Sequence, residues 1–229
     1  MVAREAAPAA GRVALVAGAT GLVGREVLAA LLADSRYAQV HCVGRRAPPE
    51  QHPKLRVHLV ERLDQPALSA ARSPAHVDDL YIALGTTIKV AGSQAAFRAL
   101  DHDAVLAVAR YGRARGATAL GLVSAMGADP RSGVFYNRIK GETERDLEQV
   151  GYALLVIARP SVLTGDRSTL QQPGRVGESL ALAAMRWLTP LTPANYRPIA
   201  AVDVARALVA RVARGGAGKQ VMLSGAMQH

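Results

Sequence analysis

The stretch Val13-Ala14-Leu15-Val16-Ala17-Gly18-Ala19-Thr20-Gly21-Leu22-Val23-Gly24 decides the fold. Residues 13–17 are an apolar run of the kind that forms a buried strand. Three glycines follow at spacings of three and three. Apolar residues at 22, 23, 27, 28, 31 and 32 then carry helical periodicity. A strand, a glycine turn and a helix in that order make a cradle for a pyrophosphate. Gly18 permits the tight turn, Gly21 lets backbone approach the phosphate, and Gly24 lets the helix pack close to the strand. The helix start adds free N–H groups and the positive end of its dipole. A bare glycine triplet is a weak signal, but its place between the first strand and the first helix makes it a strong one.

Outward from this turn, strand-like runs alternate with helical ones. Strands are expected at 40–43, 55–60, 80–84, 119–123 and 152–158. A long helix is expected at 94–115, closed by Gly116, and another at 137–150, closed by Gly151. Near-continuous apolar strands alternating with helices predict an α/β fold, a doubly wound parallel sheet of the Rossmann kind. No repeat or low-complexity linker divides the chain, so residues 1–229 read as one domain with a loose leader at 1–11. After Pro160 the pattern loosens. Segment 160–200 reads as a small C-terminal substrate-binding cap, with an apolar helix at 176–188 that holds Trp187. A last helix at 202–212 and an edge strand at 221–223 complete the chain.

Half of the residues are hydrophobic, enough for a real core, and the formal net charge is +10. Nearly all of the positive charge is arginine scattered along the chain; lysine occurs only at 54, 89, 140 and 219. Scatter of this kind argues against an extended anionic partner, so no nucleic acid is expected. The aromatic residues form no base-stacking platform. The lone Cys42 lies in an apolar run and reads as a buried strand thiol. His52 and His58 have no metal-ligand spacing. No run is long enough to span a bilayer and the start lacks a secretory h-region, so a cytoplasmic location is expected.

The second strand ends Val43-Gly44-Arg45-Arg46, with no acidic residue to hold ribose hydroxyls. Two guanidiniums suit a 2′-phosphate instead, which predicts NADP. Tyr136 and Lys140, four residues apart near a helix start, leave one face together. A free phenol has a pKa near ~10, and a neighbouring ammonium stabilises its phenolate. The pair can therefore act as acid toward a carbonyl oxygen or as base toward an alcohol. Lys140 is also placed to hydrogen-bond a nicotinamide ribose. Ser124, at the end of the fifth strand, can hold the substrate oxygen against the phenol.

With these residues the chain resembles the short-chain dehydrogenase/reductase superfamily. Gly18-x-x-Gly21-x-x-Gly24, Ser124 and Tyr136-x-x-x-Lys140 carry the resemblance. Leu84-Gly85-Thr86-Thr87, residues 123–129, Lys140-Gly141-Glu142 and Arg159-Pro160 are similar to its atypical, Tat-interacting-protein-like branch. The resemblance spans about residues 11–212. It implies that Gly18, Thr20, Gly21, Leu22, Val23 and Gly24 meet the pyrophosphate and that Arg45 and Arg46 meet the adenosine phosphate. Leu63 and Asp64 would contact adenine, and Ala83, Leu84 and Gly85 would line the cofactor. It further implies that Ser124, Tyr136 and Lys140 are catalytic, with Tyr136 and Lys140 also touching the cofactor. Many members carry an asparagine in the long helix that completes a proton relay; that region here reads Leu100-Asp101-His102-Asp103.

The expected activity is hydride transfer between NADPH and a small carbonyl or alkene by a monomer or homodimer. The pocket would lie among segments 86–93, 124–135 and 163–198, with Tyr196 and Trp187 as candidate lining. The alternative is an NADP-binding redox sensor with little turnover.

Overall fold

The computed structural model describes residues 11–70, 74–165 and 193–228. Its strands are β1 (Arg12–Ala17), β2 (Tyr37–Gly44), β3 (Leu55–Leu59), β4 (Asp79–Ile82), β5 (Ala119–Val123), β6 (Leu154–Arg159), β7 (Leu163–Thr164), β8 (Ile199–Ala200) and β9 (Gly218–Leu223). Its α-helices are α1 (Leu22–Ala33), α2 (Gln65–Ala70), α3 (Ile88–Ala91), α4 (Gln94–Arg98), α5 (Ala104–Ala114), α6 (Phe135–Glu148), α7 (Ala201–Ala213) and α8 (Ser224–Met227).

Seven strands pair in the order β3-β2-β1-β4-β5-β6-β9, and every pairing is parallel. The order reverses between β1 and β4, so this doubly wound sheet opens a crevice at the carboxyl ends of those two strands. Period-two alternation feeds two cores. Ala14 and Val16 of β1 pack with α1 and α7 on one face. Leu15 and Ala17 pack with α2, α5 and α6 on the other. Each fully buried Val, Leu or Ile contributes about 1.5–3 kcal/mol relative to exposure, which is why strands buried on both faces read as unbroken apolar runs.

At the amino edge the strands are cross-braced. Asp79 is fully buried, takes Arg12 at 2.5 Å and accepts the Tyr37 hydroxyl at 2.6 Å. Cys42 is buried, as expected, and burial pushes its thiol up to about 12.

Three expectations needed revision. The strand expected at 55–60 forms at Leu55–Leu59, but as the sheet edge rather than a strand covered on both faces; Val57 is 40% exposed and Leu59 61%. The long helix at 94–115 is interrupted: α4 gives way to a π-helical turn at Ala99–Asp103 before α5 resumes. Helices α2 and α3 were not anticipated, being too short to show a period. Gly116 and Gly151 do take left-handed φ values, +96° and +82°, where the helices were expected to close. Most of the cap, including the helix expected at 176–188 and Trp187, lies outside the described residues.

Candidate active site

The glycine turn sits at the crevice. Gly18 has φ +90°, and a Cβ there would stand 2.5 Å from the Ala83 oxygen, so the turn rests directly on the end of β4. A Cβ on Gly24 would overlap the Gly18 carbonyl, which shows how close α1 runs to β1. Gly21 differs: its nearest neighbours would be Gly18 O at 3.4 Å and Ala83 O at 3.8 Å. It is the N-cap of α1, brings no side-chain oxygen, and no acid occupies the first turn. The first-turn amides of Leu22, Val23 and Gly24 are thus left for an outside acceptor. A pyrophosphate fits this arrangement.

Arg45 and Arg46 follow β2 at the same edge; both are exposed, and neither pairs with a carboxylate among the described residues. Leu63 is buried in the core. Asp64 is already engaged: its Oδ1 accepts the Ala67 amide at 3.0 Å and caps α2, while its Oδ2 takes Arg62 Nε at 2.8 Å. Ala83 extends the β1–β4 ladder through its amide to Ala17 O at 2.9 Å. After Leu84, a Cβ on Gly85 would lie 3.6 Å from Asp101 Oδ1 and 3.7 Å from Lys140 Nζ. The cofactor side and the candidate catalytic side therefore meet at Gly85.

On the other side, Tyr136 lies in the first turn of α6 and Lys140 one turn later. The half-buried Tyr136 ring packs on Phe97 of α4 with centroids 5.5 Å apart, and Phe97 also meets Phe135 edge-on. Lys140 is only 6% exposed, and its Nζ lies 2.7 Å from Asp101 Oδ1. Burial opposes its charge, but attraction to Asp101, and then to Tyr136, outweighs burial and holds the ammonium above the usual lysine range.

Ser124 ends β5, its amide bonded to Ala158 O at 2.8 Å. Its hydroxyl donates to Glu144 Oε1 at 2.5 Å. Glu144 is buried and also takes the Arg159 fork, with Nη2 at 2.5 Å and Nε at 3.0 Å. Loop 124–134 is pressed against α6 at Gly141, where a Cβ would overlap the Asp129–Pro130 backbone. The Asp129 amide bonds Asn137 O at 3.1 Å and fixes the same contact.

The structure thus brings Tyr136, Lys140 and Ser124 to one end of the sheet, beside residues that no sequence motif marks for a role there. In sequence, Glu144 and Phe97 carry no role at the site, Thr86 reads only within the run 84–87 and the segment 86–93, and Asp101 only as part of a polar run. One signal was available: a buried lysine requires a counter-charge, and the long helix offered few acids. Tyr196, a candidate for pocket lining, is 57% exposed in a short turn at Ala194–Tyr196.

A profile of the NAD dependent epimerase/dehydratase family matches residues 14–130. Protein FMP52, mitochondrial, of Coccidioides immitis is 32% identical over 209 residues, covering 85% of this chain and 82% of its own length. The chain belongs to the NAD dependent epimerase/dehydratase family.

The Saccharomyces cerevisiae Protein FMP52, mitochondrial, is similar at 32% identity over 75% of this chain and 74% of its own. Among solved structures, UDP-glucose 4-epimerase of Thermotoga maritima with UDP-glucose shares the fold at TM-score 0.66 and 17% identity, covering 93% of this chain and 77% of that one. The Bordetella bronchiseptica enzyme WbmF in complex with NAD+ does so at 0.66 and 18%, covering 95% and 76%. Resemblance to the short-chain dehydrogenase/reductase superfamily and the Rossmann architecture are borne out. Family membership makes this a nicotinamide-nucleotide-dependent, oxidoreductase-type enzyme.

The cytoplasmic expectation is corrected, because the similar FMP52 proteins are named mitochondrial. A missing bilayer span and a missing secretory h-region do not bear on organelle addresses, which have a different composition. No helix among the described residues is long and apolar enough to cross a membrane.

Proposed function

We propose that the chain is an NADP-dependent oxidoreductase that reduces a small carbonyl or alkene, with Tyr136, Lys140 and Ser124 as its reacting groups. The carrying observation is the buried Lys140 one helical turn from Tyr136, beside the glycine cradle at the carboxyl edge of the sheet.

The amides of Leu22, Val23 and Gly24 would hold the pyrophosphate, and Arg45 and Arg46 the 2′-phosphate; Ala83, Leu84 and Gly85 would line the inner end. Bound NADPH supplies a hydride to the substrate carbon. Tyr136 then donates its phenolic proton to the substrate oxygen, giving the alcohol, and recovers a proton from water. Lys140 stabilises the transient phenolate and holds its charge in a site shielded from solvent. Ser124 orients the oxygen, exchanging its bond to Glu144 for one to the substrate. The relatives' names support a mitochondrial setting for this activity.

A panel of carbonyl substrates with NADPH, comparing wild type and Tyr136→Phe, tests the reading. The expected loss is about 10²–10⁴-fold in rate with NADPH affinity retained. An equal rate in the variant would remove Tyr136 as the acid. Tight NADPH binding without turnover on any substrate would favour the redox-sensing alternative.

A further inference from the structure

Asp101 is the least expected group near the site. It is fully buried in the π-helical turn, where the widened ring admits an extra residue between α4 and α5. Three contacts from two elements hold it. Its Oδ1 meets Lys140 Nζ of α6 at 2.7 Å. Its Oδ2 accepts the Thr86 amide, on the loop after β4, at 3.0 Å. Its own carbonyl accepts the Thr143 hydroxyl of α6 at 3.0 Å.

We propose that Asp101 is a positioning residue that clamps Lys140 to the loop Leu84-Gly85-Thr86, presenting the ammonium to the cofactor and to Tyr136 at one fixed point. The proposal rests on Lys140 being part of the reacting site. A lysine reaches out on four flexible carbons and carries three donors. Its contact with the buried carboxylate is a close ion pair rather than an aligned hydrogen bond, so it removes the freedom to wander and leaves the donors for the reaction. Because the same carboxylate grips Thr86, Lys140 and the inner wall of the nucleotide site share one anchor. Gly85 packs directly on that anchor: a Cβ there would be in ordinary van der Waals contact with both members of the ion pair. An asparagine would keep the Thr86 bond yet supply no counter-charge.

Among the described residues, the charged and titratable groups facing Lys140 are Asp101, Tyr136 and Glu144. Glu144 is itself shared with Arg159. Neighbouring His102 is occupied by Asp103 and Asp146. Removing Asp101 therefore takes away the nearest anion and leaves the others in place.

The test is an NMR titration of isotope-labelled lysine side chains in the full chain. With four lysines, the Lys140 signal is assigned by its loss in Lys140→Arg. Wild type is expected to keep this ammonium charged throughout pH 7 to about 10. In Asp101→Asn its midpoint is expected to fall by about one unit or more, with the Thr86 amide signal held in place. An unmoved midpoint overturns the proposal. So does a wild-type midpoint below about pH 9, which decides the matter even if the variant fails to fold. In NADPH-linked reduction, Asp101→Asn should lower kcat about tenfold with KM little changed. A raised KM at unchanged kcat would overturn it. Wild type without turnover on any carbonyl would sink the oxidoreductase reading alone, because the titration still decides the role of Asp101.

Discussion

The two sides of the carboxyl edge are built on opposite plans. Around β1, α1 and β2 the groups offered are backbone amides and two exposed arginines, with no ion-pair partner for those arginines among the described residues. Around β5 and α6 the polar side chains are engaged: Ser124 by Glu144, Glu144 by Arg159, Lys140 by Asp101. A surface for a charged ligand leaves its donors free because the ligand brings the acceptors. A reaction centre holds its groups aimed before the substrate arrives. The family match covers residues 14–130, which takes in the nucleotide side together with β5 and Ser124, and stops short of Tyr136.

Variants on each side sharpen or break this contrast. Glu144→Ala should have the largest effect on stability, about 3 kcal/mol, because it strands the Arg159 charge and the Ser124 hydroxyl. Urea unfolding would check it; a loss below about 1 kcal/mol would mean that the network is an ornament. On the other side, Gly24→Ala should lose about 1–3 kcal/mol through overlap with the Gly18 carbonyl, and nucleotide affinity with it. Full stability with normal binding would contradict the close helix approach.

Replacing both Arg45 and Arg46 by Ala should weaken NADPH about tenfold more than NADH, or about 1.4 kcal/mol in calorimetric titration. Equal losses would remove the 2′-phosphate assignment. The smallest expected effect concerns His41, which burial, and then the charges of His58 and Arg56, push down to about 4. An unfolded histidine takes up its proton near ~6.5. Protons therefore favour the unfolded chain below that pH, and stability should fall from about pH 6.5 to 4. His41→Gln should flatten the melting temperature across that window; an unchanged slope would place the dependence elsewhere.

The nucleotide side was legible because its signals are local. A glycine at 18 or 24 declares a backbone constraint without reference to anything distant, and strand 119–123 was bounded as observed. The catalytic side was legible only in Ser124, Tyr136 and Lys140. Its supports come from far along the chain: Glu144 lies 20 residues from Ser124, and Asp101 is joined to Thr143 across 42. In sequence, Glu144 looks like one more charge on a solvated helix face. The π turn was invisible for a related reason. Residues 94–115 satisfy helical spacing throughout, and the π turn falls where Lys140, Thr86 and Thr143, all distant in sequence, meet Asp101.

The close contact at Gly141 carries an evolutionary consequence. Nothing larger than hydrogen fits between α6 and the Asp129–Pro130 backbone, so drift at that position is closed whatever molecule the enzyme serves. The loop from Ser124 and the helix that carries Tyr136 are inherited as one casting. Descendants of this chain that acquire new substrates must find them by recutting the other walls.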